Sequence, residues 1–142
     1  MYEYKATILH IVDGDTVDVD IDLGFGIVLQ DQRIRIYGID APESRTRDLE
    51  EKACGLAAKE FVEQWLPIGS VRVMKTYLDK DGDAIRGKFG RILADFIIDE
   101  ETTLGALMVK ERLAVSYFGA SKSDIQAQHI INRQYLKEAK II

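Results

Sequence analysis

The first 37 residues of this 142-residue chain restrict its fold more than any other feature, because apolar and polar side chains alternate through three successive runs. "TVDVDID" (16–22) and "RIRIY" (33–37) alternate with period two and are rich in β-branched residues, which suit a half-buried pleated surface. Residues 3–12, 16–23 and 28–37 therefore read as the strands of a β-meander, with Gly24-Phe25-Gly26 as the second turn. Five aspartates fall within residues 13–24, dense enough to raise the question of a metal site. In a strand over 16–23, however, Asp18, Asp20 and Asp22 share one face and Val17, Val19 and Ile21 the other. That carboxylate row is expected to be the solvated side of the strand.

From Leu49 to Leu66 the period changes. Cys54, Ala57, Ala58, Phe61, Val62 and Trp65 recur at helical spacing, and Pro67 and Gly69 end the run. Strands follow at 71–77 and about 90–98, joined by the polar stretch 79–90. A short helix starts after Thr102, and a last one near Ser121, where "SKSD" has capping-box spacing. This order predicts an α+β fold: a five-stranded β-barrel with three α-helices, in one domain spanning residues 1–142.

One cysteine, Cys54, allows no internal disulfide, and His10 and His129 have no zinc-like spacing, so any metal would be held by oxygen. Both histidines read as ordinary structural or surface residues, and Cys54 as core. A net charge of -5 disfavours a general nucleic-acid coat, yet residues 72–91 hold six basic side chains against three acidic ones. No 18-residue apolar run occurs, and the N-terminus lacks a signal-peptide pattern. The chain thus reads as cytoplasmic, with no membrane association. "DKDGDAIRGKFG" (79–90) has the spaced aspartates of an EF-hand, but Ala84 and Gly90 stand where Gly and Glu are required. It reads instead as a loop beside the site.

Three motifs carry chemistry. Asp15 lies in "DGDT" at the entry to the second strand, "RIRIYGIDAPE" (33–43) runs from the end of the third into a stiffened turn at Asp40-Ala41-Pro42-Glu43, and Arg91 opens the last strand after "KFG". Two carboxylates, an acid-base carboxylate and two guanidiniums match the needs of phosphodiester cleavage. In this order, and with "KACGLAAKEF" and "LGALMVKERLA" in the helices, the chain resembles the staphylococcal nuclease (thermonuclease) family over about residues 5–138.

That resemblance implies an OB-fold barrel and a Ca2+-dependent, sugar-nonspecific hydrolase of DNA and RNA. The substrate would be preferentially single-stranded, and the 5′-oxygen would leave to give 3′-phosphate ends. By position, Asp15, Asp40 and the backbone carbonyl of Ala41 would bind Ca2+, Arg35 and Arg91 would grip the phosphate, and Glu43 would act as base or orient water. Lys88, Phe89 and Tyr117 would contact substrate. There are departures. Phe89 replaces a tyrosine, Ala41 a threonine and Arg112 a glycine, and Tyr117-Phe118 match the base-stacking aromatic pair only loosely. The rival expectation is a noncatalytic OB-fold module that binds nucleic acid or protein. The intact set Asp15, Arg35, Asp40, Glu43 and Arg91 favours the enzyme, acting as a monomer. A nuclease without an export signal suggests a phage or mobile-element setting.

Overall fold

A computed structural model describes residues 2–77, 91–117 and 121–142. The expected loop at 79–90, with Lys88 and Phe89, and Phe118 lie outside these described residues.

The meander forms as its alternation predicts. Strands β1 (Glu3–Asp13), β2 (Thr16–Gly24) and β3 (Ile27–Ile36) pair antiparallel, with Ala6 opposite Ile21 and Thr16 opposite Arg35. The first half of β1, Glu3–Thr7, also pairs antiparallel with β5 (Val71–Thr76) on its other edge, and two irregularities in the β1–β2 register, after Ile8 and after Ile11, bend the second half of the strand. Strand β6 (Ile92–Phe96) pairs antiparallel with β5 and parallel with the end of β3, from Ile34–Ile92 to Ile36–Ala94. The ring closes in the order β1-β2-β3-β6-β5.

Inward faces supply the core. Ile8, Val17, Val19, Ile34, Ile36, Met74, Ile92 and Phe96 are almost wholly buried. The aspartate row of β2 faces outward as expected. Arg33 Nε and Nη2 donate to the two carboxylate oxygens of Asp18 at 2.9 and 3.1 Å. Asp20 accepts from the Asp31 amide, and Asp22 from the Gly24 amide. These carboxylates serve strand and turn geometry.

Helix α1 (Leu49–Trp65) closes one end of the barrel with Cys54, Ala58 and Val62, and Asp48 caps it by accepting from the Glu50 and Glu51 amides. Helix α2 (Leu104–Lys110) is capped by Thr103 and α3 (Lys122–Glu138) by Ser121, as the spacing of "SKSD" predicts. These are the three helices among the described residues.

One element has no signature in the alternation. The segment after Gly38 forms the two-residue strand β4 (Ile39–Asp40), paired with β7 (Val115–Ser116). A pairing this short leaves no periodic trace, although it ties Asp40 to the far end of the chain.

Candidate active site

The turn between β1 and β2 places Asp15 beside the end of β3, where the Ile36 amide donates to the Asp15 carbonyl at 2.8 Å. Asp15 Oδ1 accepts from the Thr16 hydroxyl, and Oδ2 accepts from the Ala41 amide, both at 3.0 Å. The carboxylate is thus held by two donors before any ligand arrives. Arg35 extends from the outer face of β3. Its Nη1 donates to the Ile36 carbonyl at 3.0 Å and lies 3.5 Å from Asp15 Oδ2, while Nη2 lies 3.6 Å from Asp40 Oδ1. The guanidinium therefore bridges both candidate metal-binding carboxylates. Asp15 and Arg35 are 14% and 17% exposed in their side chains and Asp40 35%, so the cluster opens to solvent on the Asp40 side.

The segment from Ala41 to Ser44 is held from two directions. Ala41 is tied to Asp15, and the Ser44 amide and hydroxyl both donate to Asp13 Oδ1. Helix α1 presses on its back, where a Cβ added to Gly55 would lie 2.3 Å from the Glu43 carbonyl oxygen. Glu43 is consequently presented at a defined place. Partial burial raises its pKa above the ordinary glutamate value, and the carboxylates of Asp13, Asp15, Glu51 and Asp40 push it the same way. That corner carries surplus negative charge.

Arg91 stands just before β6, one register step beyond Ile92 and on the outward face shared with Arg33 and Arg35. Partial burial and then the positive charge of Arg35 lower its pKa, with Asp15 opposing. These perturbations put Arg91 in the same electrostatic neighbourhood as Arg35 and Asp15. Tyr117 is half exposed, and its amide donates to the Gly38 carbonyl at 2.7 Å, so it flanks the turn leading to Asp40.

The donor chemistry fits a hard divalent cation. Two carboxylates close to one guanidinium, in a corner whose charge already perturbs Glu43, suit Ca2+, which takes oxygen ligands in irregular shells. Among the described residues no group of three or more His, Cys, Asp or Glu donors converges on a metal position. Protein carboxylates would therefore fill only part of the shell.

Sequence reasoning missed three residues here. Asp13 and Ser44 hold the Glu43 segment from below. His129, which reads in sequence as ordinary structural or surface, lies 2.8 Å through Nε2 from Asp40 Oδ2 with its side chain only 10% exposed. The available signal was its place four residues after Ile125 and three before Asn132, both buried on the inward face of α3. His10, by contrast, is a surface residue as expected, and Cys54 is core. Arg112 has a φ of 64°, in the left-handed region that glycine adopts at no steric cost.

Known proteins are similar to this chain in sequence. The Staphylococcal nuclease homologue family profile matches residues 33–141. A protein named thermonuclease from Staphylococcus intermedius is 32% identical over 108 residues, covering 76% of this chain and 56% of its own. Another thermonuclease, from Staphylococcus hyicus, is 29% identical over 112 residues, 79% of this chain and 56% of its own. Endonuclease YhcR of Bacillus subtilis is 26% identical over 121 residues, which are 82% of this chain and 9% of that protein. The chain thus spans about half the length of these thermonucleases. With the profile covering most of its length and the motifs gathered at one corner of the barrel, the chain belongs to the staphylococcal nuclease family.

Proposed function

We propose that this chain is a Ca2+-dependent nuclease that hydrolyses phosphodiester bonds of DNA and RNA, with single-stranded substrate preferred. The observation that carries the reading is Arg35 bridging Asp15 and Asp40 beside Glu43. Asp15, Asp40 and the Ala41 carbonyl would hold the cation. When bound, Ca2+ would neutralise phosphate charge and polarise the phosphoryl group.

The chain's own residues do the rest. Arg35 and Arg91 grip the phosphoryl oxygens and stabilise the charge that grows on them during attack. Glu43 accepts a proton from water or orients it, and the surplus negative charge around it suits proton acceptance. Water adds to phosphorus, the bond to the 5′-oxygen breaks and that oxygen takes a proton, leaving a 3′-phosphate. Tyr117 offers an exposed ring for a splayed base, which favours single strands, and the family resemblance adds Lys88 and Phe89, outside the described residues, as substrate contacts.

The test is degradation of a fluorescent single-stranded DNA and a matched RNA with Ca2+, Mg2+ or EDTA, alongside Glu43→Ala. Calcium-dependent cleavage that falls by at least about 10²-fold in the variant is expected. A folded wild-type protein that binds the oligonucleotide without cutting it would instead be a binding module.

A further inference from the structure

Asp15 and Asp40 are oriented in different ways. Asp15 accepts from a neighbouring hydroxyl and from a backbone amide, whereas the one hydrogen bond to the Asp40 carboxylate among the described residues involves His129, 89 positions along the chain. A carboxylate can only accept, so Nε2 of His129 is the donor. The other ring nitrogen, Nδ1, is buried and has no partner among the described residues. A proton there would be a buried donor with nothing to bond, so a bare Nδ1 and a protonated Nε2 is the favoured tautomer.

The helix that supplies this imidazole is anchored on both sides of it. Ile125 and Leu136 are buried on the same face, and Asn132 Nδ2 donates to the Ala114 carbonyl at 3.3 Å, next to β7, which pairs with Asp40 itself. Imidazole and carboxylate are therefore fixed relative to each other through a helix, a loop and a two-residue strand pair. With Oδ2 engaged by His129, Oδ1 remains on the Arg35 side, where Nη2 lies 3.6 Å away.

We propose that His129 is a positioning residue for Asp40: its Nε2–H holds Oδ2 and keeps the carboxylate turned so that its open lone pairs serve a hard cation. This rests on the nuclease reading above. Partners of this kind set the direction and basicity of a ligating group, and their loss typically weakens metal binding 10- to 100-fold.

Two measurements test it without relying on turnover. The first is the imidazole nitrogen spectrum of the metal-free wild-type protein at about pH 8. A single His129 tautomer protonated at Nε2 is expected, and an Nδ1–H or rapidly averaging ring would overturn the proposal. The second is calorimetric titration of Ca2+ alone into wild type, His129→Leu and His129→Gln, with melting curves to compare folding. His129→Leu should raise the Kd at least about 10-fold, and His129→Gln, which retains an N–H of similar reach, should recover most of the loss. Equal affinity in all three proteins, or a glutamine no better than leucine, would overturn the role of His129 and leave the nuclease reading standing. A wild type that binds no Ca2+ and cleaves nothing would overturn both. Should His129→Leu not fold, the tautomer and His129→Gln decide: Gln binding Ca2+ over about 10-fold more weakly than wild type overturns the proposal.

Discussion

Arg35 is oriented before any phosphate arrives, since a backbone carbonyl and two carboxylates hold its guanidinium. Preorganised donors of this kind stabilise developing charge without reorganising during the reaction. Arg91 is partly buried next to it, so Arg91→Ala should lower kcat on DNA by about 10²-fold or more with little change in stability. Turnover within a few-fold of wild type would remove Arg91 from the mechanism. Asp95 makes a separate statement about stability. It is buried in β6 and accepts from the Phe96 and Gly105 amides at 2.8 and 3.0 Å, yet desolvation raises its pKa despite those bonds. A carboxyl whose folded pKa is raised adds stability below its unfolded pKa and loses that contribution as pH rises through the folded value. Asp95→Asn retains an acceptor for both amides and abolishes the charge. Its stability relative to wild type should therefore improve between pH 3 and pH 7, as read by denaturant melts at the two values. A difference that is flat or falls with pH would contradict this account.

At the scale of elements, helix α1 explains how a glycine can sit inside a helix. Gly55 costs up to about 1 kcal/mol in helix propensity relative to alanine, and this loss permits contact with the backbone of Glu43 and Ser44. Gly55→Ala would place a Cβ 2.3 Å from the Glu43 carbonyl oxygen and 2.6 Å from the Ser44 amide nitrogen, both backbone atoms with little room to yield. The variant should lose about 1–3 kcal/mol of stability and also lose activity, although residue 55 touches no substrate. A variant as stable and active as wild type would mean that α1 does not brace the catalytic segment. The same helix was readable in sequence because its apolar stripe runs for 17 residues, whereas β4 and β7 were not, being two residues each.

For the whole molecule, net charge and local charge point in different directions. The chain carries -5 overall, while Arg35 and Arg91 gather at one corner with Arg33. With two or three cationic contacts to single-stranded substrate, log K against log salt should slope at roughly -1.5 to -2. Oligonucleotide anisotropy in EDTA across a salt series measures it, and a slope steeper than about -4 would require more cationic contacts than the described residues gather at this corner. Among the described residues no helix is long and apolar enough to cross a membrane. By itself the sequence determined the meander, the three helices with the Ser121 cap of the last, the outward aspartates of β2 and the candidates Asp15, Arg35, Asp40, Glu43 and Arg91, because side-chain periodicity, capping chemistry and motif order are local properties written along the chain. Only the tertiary structure decided that Asp40 is held by His129, that Asp13 anchors Ser44, and that Gly55 makes room for Glu43. Each of those contacts joins segments between 12 and 89 residues apart, and a single hydrogen bond or close approach at such separation repeats nowhere, so it leaves no pattern to read.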